Sequence, residues 1–412
     1  MLWVKSGGLV PLNTGGKIRS FNLLKELARL HEISFFTFYG REANDQHEEL
    51  KKYFAQVVRV PLELPEARGA GEAIDYARNL LSLRPYTMAK YCRPSVGRTL
   101  RAFLAKNAFE VMVCDFLFSA DAVPWESTVP KVLFTHNVEE QIWRRHFEVS
   151  RNPIWKAVSW REYRTMRAAE RRYVNRADHV LAVSENDRQY FSSYADERKI
   201  TVVPTGVDVD YFQPGGATEA ADTLVFTGSM DWLPNEDAIS YFAESILRGL
   251  RQQRAKVTLR VVGRKPSQKL LSLAAENKAI EVTGEVPDIR PHVHDASVYV
   301  VPLRIGGGTR IKIFEAMAMG KAVVSTPVGA EGLPVKHNEN IVLAESPDEF
   351  CKAVLRLLAN PEERHAIGRA ARKLVEDSYS WRSVSRVIDD VFTSVTKPSG
   401  MALPTPAEVA GD

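Results

Sequence analysis

Residues 300–326 read VVPLRIGGGTRIKIFEAMAMGKAVVST: an apolar β-branched run, three glycines, a helical pattern and a second apolar run. Gly306, Gly307 and Gly308 let a backbone approach a ligand closely, and Thr309 is suited to cap a helix starting at Arg310. Arg310 and Lys312 then fall in the first helical turn, where the positive end of the helix dipole disfavours a cation that lacks a negative partner. Amides, helix end and cations together suit a phosphate group, and a diphosphate supplies the missing partner. Helical spacing puts Ile311, Phe314 and Ala318 on one apolar face and leaves Lys312 and Glu315 three apart along its edge. There Glu315 can accept hydrogen bonds from two adjacent ribose hydroxyls. A surface ion pair between the two is the alternative, worth only about 0.5 kcal/mol.

The same alternation of strand and helix runs through the whole chain. In the first half the strand candidates are MLWVK, EISFFTF, QVVRVPL, EVMVCDF, KVLFTHN, HVLAVS and KITVVP, with helical stretches such as RSFNLLKELARL between them. GGATEAAD, after Pro214, has the composition of a linker. A second series follows: TLVFTGS, KVTLRVVG, AIEVTG, SVYVVPL, KAVVST and NIVLA. The pattern predicts an α/β protein with two doubly wound, Rossmann-like domains of parallel strands covered by helices on both faces. The boundaries read as 1–205 for the first domain, 206–222 for the linker and 223–378 for the second domain, with a closing helix over 379–396. Residues 397–412 read as a disordered tail. Loops beyond the carboxyl ends of the strands are where a ligand is expected, in a cleft between facing domains.

A chain of 412 residues exceeds what one hydrophobic core usually serves, in agreement with two domains. No apolar run reaches the roughly 20 residues of a membrane-spanning helix, and the first residues lack the regions of a secretory signal. Three scattered cysteines, Cys92, Cys114 and Cys351, fit neither a disulfide framework nor a zinc site. A cytoplasmic protein is the expectation. The net charge of +4 gives no reason to expect nucleic acid. Its distribution is uneven, since residues 151–176 carry eight Lys or Arg against Glu162 and Glu170 only, beside Trp155, Trp160 and Tyr163. That surplus suits an anionic membrane face, here the inner face, an acidic acceptor, or simply a solvated helix surface. No GxGxxG follows the first strand and no GxxxxGK[ST] occurs. Asp208 and Asp210 form a DxD triplet without neighbouring ligands, so no metal site is expected.

Taken together, VVPTGVDVDYFQP, TGSMDWLPNEDAI, VVGRKP, VTGEVPDIRP and the glycine-rich segment resemble the family-four retaining glycosyltransferases of the GT-B fold, in particular the bacterial exopolysaccharide and glycan-building type. The resemblance extends through GGKIRSFNLLKELA, FTHNVEEQIWRRH and RADHVLAVSENDRQYF, and so over nearly the whole chain. It implies a nucleotide-sugar donor and an acceptor that is a glycan, a lipid-linked saccharide or a small molecule. The first domain then binds the acceptor and the second the donor, with no cofactor. By the same resemblance Gly15 and Gly16 form a glycine loop against the donor phosphates, and His136 lies near the transferred sugar as a neutral hydrogen-bond donor. Asn137 and Glu139 line the acceptor side. Gly228, Ser229 and Met230 border the phosphates, Gly284, Glu285 and Val286 meet the base, and Arg264 touches the nucleotide or caps a strand. Gly307, Gly308 and Thr309 belong to the donor loop, Glu315 binds the ribose, and Trp381 opens the closing helix.

Two departures from the family pattern stand out. Gly307 occupies the place of a sugar-binding glutamate, and Ser229 and Asn235 stand where an arginine and a lysine are common. Arg310 and Lys312 are expected to replace that charge and, with the loop amides, to stabilise the departing diphosphate without a metal. A nucleotide-sugar epimerase on the same scaffold and an inactive sugar-nucleotide-binding protein are the alternatives.

Overall fold

A computed structural model of the chain describes residues 1–396 apart from 13, 41–44, 67–68, 151, 217–218 and 306–310. It divides into two units, Met1–Pro204 with Ser385–Asp412, and Thr205–Val384. All thirteen strands expected from the apolar runs are present.

The first unit holds β1 (Leu2–Ser6), β2 (Ser34–Gly40), β3 (Gln56–Leu62), β4 (Met112–Asp115), β5 (Lys131–Phe134), β6 (His179–Ala182) and β7 (Ile200–Val202). Every pairing is parallel, in the order β3-β2-β1-β4-β5-β6-β7. Its helices are α1 (Gly15–Leu27), α2 (Ala70–Asn79), α3 (Tyr86–Tyr91), α4 (Pro94–Leu104), α5 (Glu139–Val149), α6 (Pro153–Arg176) and α7 (Glu185–Ser192). The inner strands β1, β2, β4, β5 and β6 are buried on both faces along most of their length, which is why they read as apolar runs rather than as alternations.

The second unit repeats the plan. Its strands are β8 (Ala220–Thr227), β9 (Thr258–Val262), β10 (Ile280–Gly284), β11 (Ala296–Val301), β12 (Val323–Ser325) and β13 (Val342–Leu343), ordered β10-β9-β8-β11-β12-β13. The helices are α8 (Leu233–Tyr241), α9 (Arg248–Gln253), α10 (Gln268–Glu276), α11 (Arg290–Asp295), α12 (Ile311–Ala318), α13 (Pro347–Ala359), α14 (Pro361–Ser378) and α15 (Trp381–Thr396), the last grouping with the first unit from Ser385 onward. Both sheets reverse direction of growth beside their first strand, between β1 and β4 and between β8 and β11. Those two switch points are where a doubly wound sheet opens a crevice for a ligand.

The structure departs from the expected linker over 206–222. Ala220, Ala221 and Asp222 already belong to β8. The preceding residues are strapped to the second unit: Val207 bridges to Ser380, and Arg372 donates to the carbonyls of Val209 and Phe212. Arg290 and His294 hold the carbonyls of Tyr211 and Gln213. A flexible connection would leave those carbonyls to water, whereas here arginine and histidine side chains satisfy them. The DxD triplet has a local role, since Asp208 accepts from the backbone N–H groups of Asp210 and Tyr211 and so caps a turn.

Candidate active site

In the first unit, strand register assembles the site. Lys5 of β1 pairs with Asp115 of β4, and Asp115 pairs with Phe134 of β5. Asp115 is fully buried and accepts from the Trp3 indole at 2.8 Å, from the Lys5 ammonium at 3.2 Å and from His136 Nε2 at 2.7 Å. Burial alone would raise its pKa, but Lys5, His136 and Trp3 outweigh that and hold the carboxylate well below its usual range. Burial pushes His136 down to about 4 despite the carboxylate beside it.

An ionised Asp115 can only accept, so Nε2 carries the proton of the neutral ring and Nδ1 presents a lone pair. His136 Nδ1 is buried and has no hydrogen-bond partner among the described residues. In that tautomer the nitrogen left available on His136 is an acceptor, whereas the sequence reading expected a donor. The ring is clamped flat on Phe116, with centroids 4.1 Å apart and planes 6° from parallel.

Gly15 and Gly16 are the first two residues of α1 rather than a loop before it, and Thr14 caps the helix by accepting from the Lys17 N–H. A Cβ on Gly16 would lie 2.9 Å from Phe116 and 3.6 Å from His136 Nδ1, so a glycine here lets the start of the helix approach the imidazole. Lys17 is a residue sequence reading missed. It stands in the first turn of α1, and burial followed by repulsion from Lys5 lowers its pKa. A basic first turn is the same signal that singled out Lys312.

Asn137 is exposed, whereas Glu139 is buried and takes a hydrogen bond from Asn137 Nδ2 at 3.2 Å. Below them Glu170 of α6 caps the start of α5, accepting from the backbone N–H groups of Glu139 and Glu140. Burial pushes Glu170 up to about 8. The signs of the two buried groups are opposite. His136 has a folded value below its ordinary 6.5, so its contribution is complete above 6.5 and is lost as pH falls toward 4. Glu170 has a folded value above its ordinary 4.5, so its contribution is complete below 4.5 and is lost as pH rises through 8. Melting temperature measured against pH is expected to fall on both sides. Glu170→Gln is expected to flatten only the alkaline side, and an unchanged alkaline side would count against the assignment.

In the second unit the turn after β8 is built from backbone. The N–H groups of Gly228 and Met230 donate to the carbonyls of Val262 and Arg264, both at 3.0 Å, so these two amides are engaged within the fold. The Met230 side chain is buried in the core. Arg264 is exposed and donates to Ser229 Oγ at 2.9 Å, joining the turns after β8 and β9. Positive charge comes instead from α12. Lys312 Nζ donates to Asn235 Oδ1 at 2.7 Å, lies 4.0 Å from the centroid of the Phe226 ring, and comes within 2.8 Å of where a Gly228 Cβ would be. Asn235 Nδ2 in turn holds the Ser229 carbonyl at 2.8 Å. The asparagine that replaces a family cation thus anchors a lysine delivered from another helix.

One turn beyond Lys312, Glu315 is partly buried, and burial pushes it up to about 7 against the pull of Lys312. Gly284 ends β10 with φ +71 and open space around its α-carbon; Glu285 after it is exposed, and Val286 packs on the core. Gly307, Gly308, Thr309 and Arg310 lie outside the described residues. Trp381 is buried and its ring covers Gly206, where a Cβ would come within 2.5 Å of it. Gly263 has no room either, because its Cβ would fall 1.7 Å from the Gly228 carbonyl oxygen. Gly263→Ala is therefore expected to displace the β8 turn, at a cost of about 3 kcal/mol. Chemical denaturation checks this, and wild-type stability would contradict it.

Two parallel sheets, each with a switch point in its strand order, follow the doubly wound plan of the GT-B fold. A model described as Glycosyltransferase Family 4 matches residues 14–211, and one described as Glycosyl transferases group 1 matches 221–360. The chain belongs to the family-4 glycosyltransferases. An uncharacterized glycosyltransferase of Methanocaldococcus jannaschii is 23% identical over 233 residues, 53% of this chain and 58% of that protein. The chain spans a little over half the length of the curated relatives it matches. Among solved structures, a glycosyltransferase from Rickettsia africae is similar with TM-score 0.66 and 15% identity, covering 97% of this chain and 98% of that one. Anabaena HepE, solved with UDP and glucose, is similar with TM-score 0.64 and 14% identity, covering 95% and 99%. At such identities the likeness carries the fold.

Proposed function

We propose that this protein transfers a sugar from a nucleoside diphosphate donor to an acceptor hydroxyl, with retention at the anomeric carbon and without a metal. The observation that carries the reading is the placement of the Lys312 ammonium against Gly228 by Asn235, with Glu315 one turn further along α12. The acceptor oxygen bonds to the sugar C1 on the face from which the diphosphate departs as the C1–O bond to that diphosphate breaks; the acceptor proton passes to the departing phosphate oxygen, and Lys312, Arg310 and the glycine loop stabilise the charge that develops there. The ribose hydroxyls donate to Glu315. The His136 Nδ1 lone pair accepts from a hydroxyl of the sugar or acceptor, while Asp115 keeps the ring in that tautomer.

The ligands of the solved neighbour HepE, UDP with glucose, lend support to a nucleotide-sugar donor. The acceptor is a glycan, a lipid-linked saccharide or a small molecule. The basic helix α6 is read as facing an anionic membrane surface, with the protein cytoplasmic and peripheral at the inner face. Among the described residues no helix is long and apolar enough to cross a membrane.

The test is a melting panel of nucleoside diphosphates and their sugars, since a ligand that binds only the folded chain raises the melting temperature. The matching donor is then incubated with acceptor extracts and the product's anomeric configuration read by NMR. A product of retained configuration is expected. Stabilisation by no nucleotide in the panel, or an epimerised donor without transfer, would overturn the proposal.

A further inference from the structure

Half of the large apolar side chains that stand exposed among the described residues lie in one stretch of the first unit, Ile74 to Trp160. Leu81 and Leu83, between α2 and α3, are 98% and 91% exposed, and Leu80 beside them is 51% exposed. Leucines so exposed contribute nothing to the core, yet the loop that carries them is held firmly. Arg161 of α6 donates to the carbonyls of Asn79 and Ser82, and Glu162 accepts from the Tyr86 N–H at 2.9 Å. The Arg161 guanidinium also lies over the Tyr76 ring. The leucines are therefore presented on a loop fixed to α6.

The adjoining face of α6 has matching chemistry. Ile154, Ala157, Trp160 and Arg164 are all exposed and follow one another at three- and four-residue steps, so they form an outward stripe. The opposite stripe of the helix, with Ser159, Met166 and Tyr173, is buried. Arg164 lies over the Trp160 ring and Lys156 over Phe147, which places cations at the edges of the apolar surface. The nearby carboxylates are engaged: Glu72 with Lys90, Asp75 with Arg93, Glu148 with Arg144, and Glu162 buried against Arg161.

We infer that the Leu80–Leu83 loop, clamped to α6 by Arg161, inserts into the interfacial layer of an anionic lipid surface while the cations of α6 rest on its headgroups. Leucines reach the acyl boundary, tryptophan sits at headgroup level, and lysine and arginine keep their charges in the polar layer. The cations that border the apolar surface favour anionic lipid over a second copy of this chain, whose same face would bring like charges together. The inference rests on the membrane-facing reading of α6 but assigns the insertion to a segment outside that helix.

Cosedimentation of the full chain with vesicles tests it. With phosphatidylglycerol and phosphatidylcholine in about equal parts, the protein is expected to bind, and with phosphatidylcholine alone to bind far less. Leu81→Ser with Leu83→Ser is expected to weaken binding by about tenfold, with the melting temperature and nucleotide binding unchanged because both side chains are exposed. Neutralising Lys156 and Arg164 is expected to weaken it by about fivefold per cation. If the double serine variant binds as tightly as wild type while the cation variant does not, the loop inference fails and the reading of α6 survives. If wild type ignores anionic vesicles, both fail. Analytical ultracentrifugation in which the serine variant alone becomes monomeric would replace the lipid by a second copy.

Discussion

Lys312→Met is expected to lower turnover of the matching nucleotide sugar by between about a hundredfold and a thousandfold. Methionine keeps most of the length and apolar contact of the lysine stem while removing its charge. The amides of Gly228 and Met230 are already bonded within the fold, so these two groups do not replace that charge. Because developing charge on the diphosphate is greatest in the transition state, the loss is expected mainly in kcat rather than in KM. Lys312→Arg retains charge but not a compact ammonium that fits between Asn235 and Gly228, and is expected to recover activity only in part. Steady-state kinetics decides the matter, and a methionine variant within threefold of wild type would remove Lys312 from the mechanism.

Asp115→Asn is expected to damage stability and activity by separable routes. Lys5 is buried with Asp115 as its counter-ion, so removing the carboxylate charge leaves an uncompensated ammonium, a loss of about 3–5 kcal/mol. The asparagine amide can also donate to His136 Nε2, which moves the ring proton to Nδ1 and turns the available nitrogen from acceptor to donor. Activity is then expected to fall by at least a hundredfold, as loss of the correct tautomer does in other sites. The double variant Lys5→Met with Asp115→Asn separates the two effects: stability should largely return while activity stays low. Recovery of both together would reduce Asp115 to a structural group.

The strands were legible because parallel sheets covered on both faces demand apolar runs, as in Ala296–Val301 and in the first three residues of Leu2–Ser6. Lys312 and Glu315 were legible because a basic first turn and a nearby carboxylate are local signals. Asp115 and Lys5 were not, although each is a charge at the end of an apolar strand, because their meeting depends on register between strands far apart in sequence. His136 was singled out in the sequence, but which of its nitrogens is left available depends on the contact with Asp115. Asn235 registered only as a lost cation, since its partner arrives from α12. The stretch 206–222 resembled a linker by composition, and only the contacts of Arg372 and Arg290 show that much of it is tied down. The exposed leucines at 80–83 gave no signal at all, because an apolar residue in sequence is ordinarily a buried one.

The most direct test of diphosphate binding by α12 is a crystal structure with a nucleoside diphosphate bound. The phosphate oxygens are expected within hydrogen-bond reach of Lys312 Nζ, with the ribose hydroxyls on Glu315. A nucleotide bound elsewhere, with Lys312 still turned to Asn235 and Glu315 untouched, would contradict it.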